Sequence, residues 1–388
     1  MEALKPTFEI KKIFNLLTSD EQSLDQHFQR YFILSLTAIL LIGLMMVYSA
    51  SYIYAKEQFG SSTYFVLKQF IFMTVGIIGA VILSKTKFNF WFRYSFYVHG
   101  ILGFIIILTL VPGVAVSIKG SARWINLGGF LFQPGELLKY SSLLASVFYF
   151  QHFTLWHSKQ RAIYSAILLA PIIALVFQPD FGMFMLCLMN VFFICYLSPF
   201  PRKIFYGLLG VSLLSCSLIL VAAPYRVQRL MSYLDPWSDP RGAGFQIVQS
   251  FLAFAKGSVF GSGLGNSNEK LFYLPEAHND FILSVIGEEL GLLGVTVIVI
   301  LFFIFMFLGL KLAMTIRDYA RSMFATGAIF AIGIQMFFNA AVVMGMLPTK
   351  GLTLPFISYG GSALISNLLL IGMFFSCLKY EHRHSTPR

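Results

Sequence analysis

Three stretches of the chain hold residues whose types and spacing could do chemistry. The first is Leu274-Pro275-Glu276-Ala277-His278-Asn279-Asp280-Phe281, followed by Ser284, Glu288 and Glu289. With helix continuing from Asp280, positions 280, 284, 287 and 288 share one face, so Asp280 stands at the mouth of a polar stripe descending into an apolar element. Desolvation raises the pKa of a carboxylate at such a boundary and a nearby cation tunes it, which are the conditions of a general base. Taken alone, Asp280 is as well explained as a helix cap, a position that Asp favours.

The second stretch runs from Gly120-Ser121-Ala122-Arg123-Trp124 through Phe132-Gln133-Pro134-Gly135-Glu136-Leu137-Leu138-Lys139. Pro134 suits the first turn of a helix, and Glu136 and Lys139, three apart, share one face of it. A charge pair therefore enters an apolar element, either as an ion pair that fixes packing or as the lining of a wet cavity. The third stretch, Asn339 and then Gly345 through Ser362 with Pro348, Lys350, Pro355 and Ser358, has the turn residues of a tight re-entry. Its Gly360-Gly361 pair allows close backbone approach to a helix or a substrate, and close packing alone also accounts for it. Glu276, His278 and Asp280 offer alternating oxygen and nitrogen ligands in a loop, a weak pattern for a metal. No metal site or cofactor is assigned, and a divalent cation stays open. The run Gly261-Ser262-Gly263-Leu264-Gly265-Asn266 lacks the Lys-Ser or Lys-Thr of a phosphate loop.

The elements that must position these residues are membrane helices. Of 388 residues 57% are hydrophobic and 12% charged, with mean hydropathy +0.76, whereas soluble domains carry about 25% charged residues. An ordinary soluble enzyme is excluded. The net charge of +11 is scattered through short loops, which fits membrane topology and not nucleic acid. Cys187, Cys195, Cys216 and Cys377 lie in apolar blocks without CxxC spacing, so neither disulfides nor a zinc site is expected.

The expected fold is an all-α polytopic membrane protein with about ten spans, at 31–54, 64–84, 94–114, 132–151, 162–178, 181–198, 204–223, 281–310, 322–347 and 356–378. Residues 1–30, which show no cleavable signal peptide, and 379–388 are read as cytoplasmic tails around a membrane domain of 31–378. Pro179 separates the fifth and sixth spans and sets the parity. With the N-terminus inside, seventeen Lys and Arg fall in inner segments and nine in outer ones, five of these in the long outer loop 224–280. Within that loop Phe245, Val248, Leu252 and Ala255 form one helical stripe and Gln246, Gln249, Ser250 and Lys256 the opposite one, predicting a short helix on the outer membrane surface.

Arg123-Trp124 with Gln133-Pro134 and Glu136, Asp235-Pro236-Trp237 with Asp239-Pro240, Leu274 to His278 with Asp280-Phe281, and the stretch from Asn339 to Ser362 together resemble the SEDS family of cell-wall proteins, FtsW, RodA and SpoVE. The likeness runs from about residue 31 to 378, and Pro348 to Pro355 looks more like the division branch than the elongation branch. Gly135 and Asn279 depart from the usual Ser and Thr.

The resemblance implies a peptidoglycan glycosyltransferase that polymerises lipid II at the outer face of the bacterial cytoplasmic membrane. It also implies work at the division septum with a class B penicillin-binding transpeptidase and other division proteins. It makes Asp280 the base. Arg123, Lys139 and Lys350 become cations for the departing pyrophosphate, and Glu136 and Glu288 orient them. Trp124, His278 and Ser358 complete the substrate-binding set. Displacement at the anomeric carbon is direct, with inversion. The alternatives are a lipid II flippase and a non-catalytic division scaffold. The densest motifs lie on the outer side, which favours the polymerase over a path reaching both faces.

Overall fold

The computed structural model describes residues 8–118, 121–128, 130–222, 224–242, 244–267, 277–349 and 351–384. In chain order the helices are α1 (Phe8–Phe59), α2 (Tyr64–Lys85), α3 (Phe88–Arg93), α4 (Ser95–Leu108), α5 (Pro134–His152), α6 (Ser158–Phe177), α7 (Phe181–Leu197), α8 (Arg202–Val221), α9 (Pro224–Leu234), α10 (Phe245–Gly257), α11 (Ile282–Met314), α12 (Tyr319–Val343) and α13 (Gly361–His384). Among the described residues seven helices are long and apolar enough to cross a bilayer: α1 from Gln26, α2, α6, α8, α11, α12 and α13. The helices α4 and α7 are shorter and apolar. Glu136, Lys139, Ser141, Ser142 and Ser146 place charged and hydroxyl side chains within α5, and nearly all of that helix is buried by its neighbours. The chain is a multi-pass membrane protein.

Where the structure departs from the expected elements, local chemistry gives the reason. The all-α expectation misses a three-stranded antiparallel sheet of β1 (Val116–Ile118), β2 (Ser121–Leu127) and β3 (Phe130–Phe132), with Val116 opposite Trp124 and Ile125 opposite Phe132. Strands this short leave little signal beside apolar blocks. The third span stops at Leu108 and not at 114, ahead of Pro112-Gly113, which cannot continue a helix. The last span begins at Gly361 and not at 356, because the preceding residues form a loop with Phe356 at φ 65°. Helix α1 already begins at Phe8, as no Gly or Pro interrupts residues 8–30. The reversal over Gln178-Pro179-Asp180 separates α6 from α7.

The short helix expected at residues 245–257 is packed against the bundle. Ile247, Val248, Ser250, Ala253 and Gly257 are its buried residues, and it docks on α11. The Ser250 hydroxyl reaches Ser284 Oγ at 2.7 Å and donates to the Val343 carbonyl at 2.6 Å. Gly257 lies so close to the Gly287 carbonyl that a side chain at that position has no room. Small residues on both helices bring the backbones together. Helix α9 also turns apolar residues outward, with Leu230, Met231 and Leu234 exposed. It was not foreseen.

The centre of the bundle is apolar. Phe32 of α1, Phe305 of α11 and Phe374 of α13 are fully buried, with ring centroids 4.6 and 5.3 Å apart about Phe32. By contrast α8 buries only Phe205 and Cys216 and stands at the periphery. One end of the bundle gathers the sheet, the 178–180 reversal, α9, α10, the start of α11 and the 344–360 loop, as their mutual hydrogen bonds show.

Candidate functional site

The site is built from three linked groups at that end. The first surrounds Asp180, which caps α7 by accepting from the Met183 amide at 3.2 Å through Oδ1. Its Oδ2 accepts from Gln133 Nε2 at 3.1 Å and pairs with Arg123 Nη1 at 3.0 Å. Arg123 and Trp124 stand on β2, so the sheet presents the guanidinium to the helix cap. The Arg123 side chain keeps 24% of its surface exposed, and its Nε has no hydrogen-bond partner among the described residues. Arg123 is therefore oriented by Asp180 rather than by Glu136. Gln178, two residues before Asp180, donates to the Ile106 carbonyl at 3.2 Å and to the Thr109 hydroxyl, tying the reversal to the end of α4.

The second group lies one turn into α5, whose first turn holds Pro134 as expected. Lys139 is fully enclosed: Nζ meets Glu136 Oε2 at 2.9 Å and Gln335 Oε1 at 2.5 Å, and lies 4.6 Å from the centroid of the Tyr140 ring. Gln335 Nε2 in turn donates to the Thr353 carbonyl at 2.9 Å. The enclosed ammonium is thus linked to the 344–360 loop through one amide. In this arrangement no phosphate reaches Lys139 directly.

The third group surrounds Asp280, which lies half-buried in the turn ahead of α11. Its carboxylate faces Gly351, where an added methyl carbon would lie 3.2 Å from Oδ2. Asn339 Nδ2 donates to the carbonyls of Asp280 and Leu352 at 2.8 and 2.7 Å. The loop itself is fastened from outside by α9: Tyr233 donates to the Met346 carbonyl at 2.9 Å. Ser358 is buried and accepts from the Leu354 amide at 2.8 Å, closing the loop from within.

His278 stacks in an aromatic cluster with Tyr54, Phe65 and Tyr359, and its carbonyl accepts from the Tyr359 amide at 2.9 Å. Burial, and secondarily the nearby Tyr64, pushes the Tyr359 phenol up to about 12, so it stays protonated at physiological pH.

Glu288 belongs to a different cluster. Its carboxylate pairs with Lys256 Nζ at 2.6 Å and accepts from Ser267, at a break in α11 where Gly291 takes φ 67°. The glycine-rich run after α10 serves that break, as the Ser262 and Gly263 amides donate to the Glu288 and Glu289 carbonyls at 2.9 and 3.0 Å. The polar face expected at positions 284, 287 and 288 exists, but α10 covers it. The expected pairing of Glu288 with the phosphate cations is replaced by one with Lys256. Lys350 and Glu276 lie outside the described residues.

Reading the sequence alone passed over Asp180, Gln335 and Lys256 as functional groups. The usable signal was a carboxylate directly after Pro179, and an amide inside the apolar 322–347 block, both costly in a membrane unless partnered.

The fold and the site together define a helical membrane bundle that gathers an enclosed ammonium, a partly exposed guanidinium and a half-buried carboxylate at one end. The FtsW/RodA/SpoVE family profile, described as cell cycle protein, matches residues 29–383, and the chain belongs to that family. It is 37% identical over 356 residues to the stage V sporulation protein E of Bacillus subtilis, covering 88% of this chain and 94% of that one. It is 38% identical over 356 residues to a probable peptidoglycan glycosyltransferase FtsW of Trichlorobacter lovleyi, covering 89% and 91%. Among solved structures, a chain of a peptidoglycan synthase complex, described for its coordination of polymerization and crosslinking, matches with TM-score 0.74 and 26% identity over 92% of this chain and 98% of that one. The rod shape determining protein RodA of Thermus thermophilus shares the fold, with TM-score 0.65 and 24% identity over 92% and 97%.

Proposed function

We propose that the chain is a peptidoglycan glycosyltransferase that joins lipid II units into glycan strands during cell division. Family membership and relatives named for that activity support the reading. The observation that carries it is the half-buried Asp280 carboxylate, held at the same end of the bundle as the partly exposed Arg123. In the proposed step Asp280 takes the proton of the acceptor sugar hydroxyl while that oxygen attacks the donor anomeric carbon. The bond from that carbon to the pyrophosphate oxygen breaks, with inversion, and the lipid pyrophosphate leaves as an anion. Arg123, and Lys350 by its sequence position, meet that charge directly. Lys139 adds positive potential from inside and anchors the loop through Gln335. Trp124 adjoins Arg123 on β2 as part of the substrate edge. Glu136 holds Lys139, and His278 and Ser358 shape the loop around Asp280.

In this reading the protein sits in the cytoplasmic membrane with both termini inside, the site end facing out and the septum as its place of work. The basic residues Lys85, Lys87, Arg93, Lys159, Arg161, Arg202 and Lys203 at the other end support that orientation. A crosslinking transpeptidase of the penicillin-binding class is its partner. We assign no cofactor to the step. A divalent cation is the remaining alternative: among the described residues no three His, Cys, Asp or Glu gather to hold one, and a chelator titration tests whether one arrives with the pyrophosphate. The decisive experiment gives lipid II to the purified protein, with and without its transpeptidase, and measures glycan chains. Their absence in both cases overturns the proposal.

A further inference from the structure

We infer that Asn339 is a positioning residue whose side-chain amide sets Asp280 against the loop at Gly351. The inference rests on reading Asp280 as the base. Asn339 lies buried on α12, a helix that neighbours enclose over most of its length. Its Nδ2 places one hydrogen on the Asp280 carbonyl at 2.8 Å and the other on the Leu352 carbonyl at 2.7 Å. One planar group therefore ties the residue that bears the carboxylate to the neighbour of Gly351, the position that faces that carboxylate.

Two features make this more than packing. Asp280 and Leu352 both lie outside regular helix, so no backbone ladder fixes their separation, and the amide does so instead. Asn339 Oδ1 is buried with no hydrogen-bond partner among the described residues, so the amide works there as a donor, and turning it over would set oxygen against two carbonyl oxygens. One turn earlier on α12, Gln335 holds Thr353 in the same manner while accepting from Lys139. The helix grips the loop at 352 and 353 from positions four apart, and Asn339 extends that grip to the base.

The test is lipid II polymerisation by the purified protein with its transpeptidase, comparing wild type with Asn339→Asp and Asn339→Ser per folded molecule counted by size-exclusion chromatography. The Asp variant is nearly isosteric but faces two carbonyls with acceptors, and a base displaced by about 1 Å loses roughly a hundredfold in rate. Expected is a kcat about a hundredfold lower for Asn339→Asp, about tenfold lower for Asn339→Ser, which keeps one donor, and a KM for lipid II within twofold of wild type for both. Should the Asp variant not fold, the Ser variant decides by the same criteria; an unfolded Ser variant assigns Asn339 to stability and overturns the inference. A folded variant with kcat within twofold of wild type, or a loss confined to KM, also overturns it. A wild-type complex that makes no glycan removes the reading of Asp280, and this inference with it. An active wild type with indifferent Asn339 variants removes the positioning role alone.

Discussion

Removing the enclosed ammonium of Lys139 alone should damage the protein more than removing it together with its partner. Lys139→Met strands the buried Glu136 carboxylate and leaves Gln335 Oε1 without its 2.5 Å donor. Breaking one side of a buried ion pair costs roughly 3–5 kcal/mol, and an unmet buried amide oxygen about 1–3 kcal/mol. Glu136→Leu is milder, because Lys139 keeps Gln335 and the Tyr140 ring at 4.6 Å, a contact contributing about 2 kcal/mol when desolvated. The double variant removes both charges, a change that ranges from neutral to about 1–4 kcal/mol stabilising, and this offsets the stranded Gln335. Expected is Lys139→Met least stable, Glu136→Leu between, and the double variant within about 2 kcal/mol of wild type by these terms. The assay is denaturant unfolding in mixed micelles, with polymerisation per folded molecule measured in parallel. A double variant as unstable as Lys139→Met refutes the reasoning. Turnover should fall only about tenfold in the double variant, whereas loss of a direct phosphate contact costs about a hundred- to a thousandfold.

The other expectations follow from single contacts. Arg123→Lys should retain only part of the turnover, since an ammonium cannot bridge Asp180 and a phosphate as a guanidinium does; Asp180→Asn should lower turnover in parallel by freeing Arg123, and full activity of either contradicts the assignment. Gly351→Ala sets a methyl group 3.2 Å from Asp280 Oδ2 and should cut kcat severalfold without unfolding the protein, checked by activity and melting together. In a variant lacking the four buried native cysteines, Trp237→Cys, at an exposed site in the loop between α9 and α10, should react with an impermeant thiol reagent applied outside; Leu155→Cys, exposed between α5 and α6, should not. Labelling of both from one side shows the topology to be wrong.

How far the site can be read from sequence depends on how local its contacts are. Glu136 and Lys139 are three apart on a helix that Pro134 starts, so their pairing follows from spacing alone. Arg123 and Asp180 are separated by the two helices α5 and α6, and the sheet between α4 and α5 carries Arg123 to the start of α7. Glu288 illustrates the opposite error: its helical face was placed correctly, but nothing in a periodic pattern says which neighbour covers that face, and α10 does so with Lys256. The same applies to α10 itself, whose apolar stripe at 245, 248, 252 and 255 follows helical spacing, while its packed face is set by the small residues Ser250, Ala253 and Gly257. The apolar spans were legible because a bilayer demands long uninterrupted runs. The short strands at 116–132 were not, because close contacts there outweigh periodicity; the loop before Gly361 was legible from its prolines and glycines, and only its end, set at 356 in place of 361, was missed.

The central claim is that Asp280 is the base of glycan polymerisation, and Asp280→Asn tests it most directly. The change keeps size and hydrogen-bonding capacity and leaves the backbone carbonyl that Asn339 holds. Measured in the purified complex on lipid II, with folding and transpeptidase binding verified on the same sample, loss of a general base lowers the rate by about a hundred- to ten-thousandfold. That loss, in a folded and partner-bound protein, is the predicted result; retention of more than half the wild-type activity contradicts the account.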